Sequence, residues 1–322
     1  MKLLITGGAG FIGSNLVEHF LEDERITLVR ILDDLSNGYY DNIREFENHP
    51  KFEFVKGDIC NYQTCLKTCE GIDKITHQAA LGSVPRSIEN PMRTTEVNIL
   101  GTVNMMHAAV EKNVERIVLA CSSSTYGDSK ELPKVEDRIG KPLSPYAVSK
   151  VSIEQYADVF SQTYGLDYIG LRYFNIFGKR QNPDNPYAAV IPIFCKAYID
   201  GIPPTINGDG KTSRDFTYVD NAVLANDRAL STENKKALNQ IYNIACGDRT
   251  TLNDMVEILE KVSGKSLDVK YGPERPGDVK HSLADISKAR ELLGYKPKVM
   301  FKEGLERAYQ YYLDAYSKQP VE

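Results

Sequence analysis

Short apolar runs alternate with stretches of helical apolar spacing through the first half of the chain. The runs predict strands at Lys2–Thr6, Thr27–Asp33, Phe52–Lys56, Lys74–Ala79, Arg116–Ser122 and Tyr168–Tyr173. Helical spacing predicts helices over Gly13–Leu21, Thr95–Glu111 and Pro145–Tyr164. Strands that alternate with helices imply βαβ units, a parallel sheet and right-handed crossovers. The unbroken run Ile117-Val118-Leu119-Ala120 suits a strand covered on both faces.

After about residue 175 glycine and proline become frequent and the elements shorten. Thr251 and Asp254 form a capping-box pattern that opens a helix to about Val262. A helix over Asp285–Leu293 stops at Gly294, and a last one runs from about Lys302 to Tyr316. The chain thus divides into a nucleotide-binding domain, residues 1–175, and a smaller substrate domain, residues 176–322. Some crossing of the chain between them is expected.

Composition narrows the classes. The 322 residues carry 39 Lys and Arg against 44 Asp and Glu, a net charge of −5. That balance argues against a general nucleic-acid binder, which needs a cationic excess to meet phosphates. No window approaches 18 apolar residues, so no membrane span is expected, and the first apolar run is too short for a signal peptide. The six cysteines are scattered without the paired spacing of a zinc site. Reduced thiols, a cytoplasmic location and no bound metal are the expectation.

Gly7, Gly8, Gly10 and Gly13 follow the first strand and open a helix. Gly8-x-Gly10-x-x-Gly13 satisfies the dinucleotide fingerprint, and so does Gly7-x-x-Gly10-x-x-Gly13. The glycines permit a tight turn, close backbone approach to a pyrophosphate, and close helix–strand packing. Asp33 ends the second strand at the distance expected of a ribose-binding acid. Its carboxylate would repel the 2′-phosphate of NADP, so NAD is favoured. Asp34 reads either as a second acid or as a solvated turn residue. Asp58 reads either as an adenine ligand or as a helix cap.

Tyr146 and Lys150 lie four apart at the start of a helix and so share one face. An ammonium near a phenol favours the phenolate, a general base suited to a sugar hydroxyl. Ser122, Ser123 and Ser124 end the strand before it, where parallel sheets bind ligands.

Together, Gly7-x-x-Gly10-x-x-Gly13, the run Ser122–Gly127, Tyr146-x-x-x-Lys150 and Tyr173-Phe174-Asn175 resemble the extended short-chain dehydrogenase/reductases. Within them the chain is similar to the nucleotide-sugar 4-epimerases. The segments 77–87, 132–137 with 140–145, and 206–210 with 213–216 look like the bacterial UDP-N-acetylglucosamine 4-epimerases of surface-polysaccharide pathways. The likeness spans nearly the whole chain. It implies a Rossmann-like doubly wound α/β fold with a smaller C-terminal α/β domain that takes a UDP-sugar.

The resemblance also implies roles. Tyr146 is the base, Lys150 holds the nicotinamide ribose, and Ser122 or Ser123 is the catalytic serine. NAD would meet Gly7, Gly10, Phe11, Ile12, Gly13, Asp33, Asn37, Asp58, Ile59, Gln78, Ala79, Ala80, Tyr146, Lys150 and Tyr173. The UDP-sugar would meet Gly82, Ser83, Ser122, Ser123, Ser124, Tyr146, Asn175, Ala189, Val190, Thr205, Asn207, Arg214, Arg275, Asp278 and Ser282. His77 matches a position beside the cofactor but reads better as a packed, satisfied histidine. A homodimer through a four-helix interface would use the helices over 95–111 and 145–164.

Specificity turns on Ser282. Glucose-restricted relatives carry a bulky Tyr there, and a small side chain leaves room for an N-acetyl group. The resemblance therefore implies interconversion of UDP-N-acetylglucosamine and UDP-N-acetylgalactosamine through a 4-keto sugar, with UDP-glucose and UDP-galactose as further substrates. Arg86 keeps a uronate substrate open. A 4,6-dehydratase would need an Asp-Glu pair where Ser123-Ser124 stand. A noncatalytic NAD-binding regulator is the alternative outside enzymes, but such proteins typically lose the Tyr or the Lys.

Overall fold

The computed structural model describes residues 1–184, 189–274 and 280–317. Arg275 and Asp278 therefore lie outside the described residues. The first half forms strands β1 (Lys2–Thr6), β2 (Leu28–Asp33), β3 (Phe52–Lys56), β4 (Lys74–His77), β5 (Arg116–Ser122) and β6 (Asp167–Tyr173). The second adds β7 (Ile176–Phe177), β8 (Thr205–Asn207), β9 (Ser213–Arg214), β10 (Thr217–Tyr218), β11 (Gln240–Ile244), β12 (Thr250–Thr251) and β13 (Lys270–Gly272). The helices are α1 (Phe11–Leu21), α2 (Tyr62–Cys69), α3 (Val84–Glu89), α4 (Pro91–Thr95), α5 (Thr102–Glu111), α6 (Pro145–Tyr164), α7 (Val190–Asp200), α8 (Val219–Ser231), α9 (Leu252–Ser263), α10 (Ser287–Leu292) and α11 (Phe301–Ser317).

The main sheet runs β11-β6-β5-β4-β1-β2-β3, with every neighbouring pair parallel. This is the doubly wound Rossmann-like order with one added strand at the β6 edge. That strand comes from the second half of the chain. Helix α8 returns with it: Ala222, Val223, Ala225 and Ala229 share a core with Leu16, Val17 and Phe20 of α1. The expected break at residue 175 is thus crossed by the chain, and residues 219–244 cover and extend the first sheet. The remaining segments form the two-stranded pairs β7–β10, β8–β13 and β9–β12. They pack with α7, α9 and α11 around Phe177, Phe194, Tyr198, Phe216, Leu259 and Phe301.

Local chemistry explains the helix ends. Ser144 caps α6 by accepting the Ala147 N–H at 3.1 Å, Pro145 occupies its first turn, and Gly165 ends it at φ +72°. Losing such a cap costs about 1 kcal/mol. The capping box of Thr251 and Asp254 forms and opens α9. The helix expected over 95–111 is interrupted: Glu96–Gly101 form a π turn between α4 and α5. The Thr102 hydroxyl donates to the Asn98 carbonyl at 2.7 Å within that turn. The helix before Gly294 is shorter than the pattern suggested, and β4 ends at His77 rather than Ala79.

Candidate active site

The C-terminal ends of β1, β2, β4, β5 and β6 open into one cavity of about 480 Å³. All fifteen residues assigned to the cofactor by resemblance line it: Gly7, Gly10, Phe11, Ile12, Gly13, Asp33, Asn37, Asp58, Ile59, Gln78, Ala79, Ala80, Tyr146, Lys150 and Tyr173.

One end is a backbone cradle. A Cβ on Gly13 would sit 2.0 Å from the Gly7 carbonyl oxygen, and one on Gly7, at φ +67°, would sit 2.7 Å from the Ala79 nitrogen. Only glycine allows β1, its turn and α1 to approach this closely. Gly10 starts α1 without a side-chain cap, so the N–H groups of the first turn are left for a ligand. Asp33 is buried, and its oxygens accept the Ala9 N–H at 2.9 Å and the Leu35 N–H at 2.8 Å. Burial raises its carboxyl above the ordinary range, against the pull of those two N–H groups. Asp58 does not cap α2; Asn61 does, accepting the Thr64 N–H. Asp58 instead accepts the Cys60 N–H and pairs with Arg93 at 3.3 Å. Burial opposes its ionisation, but these bonds hold its carboxyl below the ordinary range.

The other end carries the reactive side chains. Ser122, Ser123, Tyr146, Lys150 and Asn175 all line the cavity. Ser122 Oγ accepts the Ser124 N–H at 3.1 Å, which leaves its own proton free to donate. Ser124 does not line the cavity; its Oγ is buried without a partner. Lys150 is buried and donates to the Ala120 carbonyl at 2.6 Å, and its Nζ lies 5.9 Å from the centre of the Tyr146 ring. Two ammonium protons remain for other acceptors. His77 is buried between the hydroxyls of Thr6, 2.7 Å from Nδ1, and Thr102, 3.0 Å from Nε2. Burial, and then the Lys150 charge, push its imidazole down to about 3. It is a packed, satisfied histidine.

A buried frame stands behind these groups. Asn98, in the π turn, bonds both the N–H and the C=O of Leu81 and donates to Ser149 Oγ at 3.1 Å. Ser149 in turn donates to the Tyr146 carbonyl at 2.7 Å. Tyr126 anchors the serine turn: its hydroxyl donates to Asn243 at 2.6 Å and accepts from Arg172 at 3.1 Å. Arg172 also grips Glu154 of α6 with two bonds, at 2.9 and 2.8 Å. None of these frame residues was singled out from the sequence for this role. The one signal for Asn98 was a polar residue inside the apolar stretch Val97–Leu100.

The residues assigned to the sugar nucleotide divide. Gly82 lines the cavity, whereas Ser83 caps α3 by accepting the Arg86 N–H. Asn175 donates to the Asp215 carbonyl at 3.0 Å and to Ser282 Oγ at 3.5 Å, which places Ser282 beside the cavity wall. The Arg214 guanidinium donates to the carbonyls of Ser213 and Lys280. Ala189 and Val190 stand at the start of α7, and Thr205 and Asn207 at the two ends of β8. These four do not line the cavity. Asp34, Ser36, Gly38, Val97 and Gln181 do line it. No helix among the described residues is long and apolar enough to cross a membrane.

Comparison with known proteins places this architecture. The family model described as GDP-mannose 4,6 dehydratase matches residues 4–308. A UDP-glucose 4-epimerase of Mycolicibacterium smegmatis is 36% identical over 314 residues, covering 97% of this chain and 98% of that one. A solved UDP-N-acetylglucosamine 4-epimerase from Methanobrevibacter ruminantium M1, in complex with UDP-N-acetylmuramic acid, is 38% identical with a TM-score of 0.92 and covers 98% of both chains. A solved UDP-glucuronic acid 4-epimerase from Bacillus cereus, in complex with UDP-glucuronic acid and NAD, is 33% identical with a TM-score of 0.91, covering 98% of this chain and 100% of that one. With its glycine cradle, its serine turn and its Tyr146–Lys150 pair in one cavity, the chain belongs to the NAD-dependent epimerase/dehydratase family, among its nucleotide-sugar 4-epimerases.

Proposed function

We propose that the protein interconverts UDP-N-acetylglucosamine and UDP-N-acetylgalactosamine, with NAD as its resident cofactor. The cradle of Gly7, Gly10 and Gly13 and the uncapped start of α1 fit a pyrophosphate. Asp33 keeps acceptor capacity for ribose hydroxyls, and Lys150 keeps two donors for the nicotinamide ribose. When bound there, NAD supplies the reversible two-electron oxidation of carbon 4.

The chain's own groups move the proton. Tyr146 takes it from the sugar 4-hydroxyl, with the Lys150 ammonium 5.9 Å from the centre of its ring. Ser122 or Ser123 donates a hydrogen bond to the same oxygen. Asn175 and Arg214, with Arg275, hold the diphosphate while the 4-keto sugar turns its other face. Tyr146 then returns the proton to an inverted centre.

Ser282 is the observation that carries the choice of sugar. It stands beside Asn175 and ends in a hydroxymethyl group, so the wall there leaves volume for an acetamido group. A roomy wall rejects a smaller sugar weakly, so UDP-glucose and UDP-galactose are slower substrates. A uronate is the second reading. It is favoured by Arg86, whose guanidinium donates to Asn37 on the cavity wall and places a cation there. We further propose a homodimer, because Leu100, Val148, Tyr156 and Val159 leave apolar surface exposed on the π turn and α6.

The test is to incubate the protein, with no NAD added, with UDP-N-acetylglucosamine, UDP-glucose or UDP-glucuronate. NMR of the products reads the outcome. UDP-N-acetylgalactosamine formed fastest supports the first reading; fastest turnover of the uronate replaces it with the second.

A further inference from the structure

Asp215 is fully buried, yet among the described residues no Lys, Arg or His side chain is a hydrogen-bond partner of it. Among the described residues its carboxylate meets three backbone N–H groups. Oδ1 accepts the Cys246 N–H at 2.9 Å. Oδ2 accepts the Gly247 N–H at 3.0 Å and the Ala284 N–H at 3.2 Å. Cys246 and Gly247 follow β11, the outer strand of the main sheet, while Ala284 belongs to the segment that returns after β13. One side chain therefore ties the stretch after β9 to the end of β11 and to the segment that returns after β13. Its main chain joins a fourth, since the Asp215 carbonyl accepts the Asn175 amide at 3.0 Å.

The neighbours of these contacts are the groups assigned above to the sugar nucleotide. Arg214 precedes Asp215 directly, and its guanidinium rests on the Ser213 and Lys280 carbonyls. The Ser282 N–H donates to the Ser213 carbonyl at 3.1 Å, and Ser213 Oγ lies 2.8 Å from His281 Nδ1. Segments 213–215 and 280–284 are thus stitched side by side, with Asp215 fastening one end to the sheet.

We infer that Asp215 is a positioning residue for the substrate diphosphate: it sets Arg214, Asn175 and Ser282 at one spacing by collecting three backbone N–H groups on one carboxylate. The inference rests on the reading that these residues face the sugar nucleotide. An uncharged amide cannot replace the carboxylate. Of its two ends only the oxygen accepts, so in Asp215→Asn the NH2 group confronts at least one N–H donor. A donor left unpaired in a buried site costs more than an ordinary hydrogen bond is worth. The cofactor cradle shares none of these bonds.

The experiment compares the NAD-loaded wild type with Asp215→Asn at pH 8. UDP affinity is measured by calorimetry, bound NAD by release and chromatography, and kcat and KM on the preferred UDP-sugar. The expected result is UDP affinity and KM worsened by about tenfold or more, full NAD content, and kcat within about threefold. Unchanged UDP affinity overturns the inference. So does a parallel loss of NAD, which would mark Asp215 as general support for the fold. A wild type that ignores UDP refutes the substrate reading itself. Should the variant fail to fold, amide exchange on the wild type decides. Protection of the Cys246, Gly247 and Ala284 N–H groups should rise when UDP is added, and unchanged rates overturn the inference.

Discussion

The end of the cavity nearest the glycine turn is made almost entirely by one stretch of chain, from β1 to the residues after β4. Its recognition groups are backbone N–H donors and acids at the end of β2 and just after β3, Asp33 and Asp58. The opposite end gathers Ser122, Tyr146, Asn175, Asp215 and Ser282 from segments far apart in sequence, and side chains do most of the joining. The first end is rigid through sterics: a single added methyl group has nowhere to go. The second is rigid through hydrogen bonds between segments, each individually worth about 1 kcal/mol. A fixed ligand retained through many turnovers suits the first kind of construction. An exchanged ligand whose sugar must turn over within the site suits the second.

Substitutions can break this contrast from either side. The largest effect is expected from Tyr146→Phe, which removes the base and leaves the cradle intact. Turnover should fall by about 10²–10⁴-fold while bound NAD is retained, as steady-state rates and cofactor release would show. Next is Gly13→Ala. Its Cβ would lie 2.0 Å from the Gly7 oxygen, so NAD content after purification should drop sharply and activity with it. Full NAD content would break the steric account of the first end. Ser282→Tyr should be milder and selective. The rate on UDP-N-acetylglucosamine should fall by about tenfold or more relative to that on UDP-glucose, read as the ratio of kcat/KM values.

The smallest effect concerns His77 and stability. Its folded-state imidazole stands at about 3 against an ordinary 6.5. Between those values the unfolded chain binds a proton that the native state refuses, so stability declines as pH falls from 6.5 toward 3. Above 6.5 both states are neutral and the contribution is complete. His77→Gln should flatten that acid limb in thermal melts, with little change in Tm slope above pH 7.

What the sequence made legible follows the same division. The strands, the glycine turn, Asp33 and the Tyr146–Lys150 pair were readable because each depends on spacing within a few residues. α6 appeared with its predicted ends because Ser144, Pro145 and Gly165 punctuate it locally. The return of β11 and α8 to the first sheet was not readable, since the strand signal in Gln240–Ile244 is no different for either sheet. The π turn was hidden because Asn98 and Thr102 sit at ordinary helical spacing, and only their bonds to Leu81, Ser149 and His77 show what they hold. The serine register stays open between Ser122 and Ser123, since both line the cavity, whereas Ser124, expected at the substrate, turns its Oγ into the interior.

The late strand also bears on how the polypeptide can be dissected. A fragment ending at residue 175 would strip β11 from β6 and α8 from α1, β4 and β5. β6 would become a bare edge with a row of unpaired donors and acceptors, flanked by uncovered alanine, valine and leucine surface. Such an edge recruits other strands, so the fragment should precipitate or form fibrous aggregates instead of behaving as a small dinucleotide-binding module. During synthesis the same hazard persists until residue 244 has left the ribosome, which makes the nascent first half a natural client for chaperones.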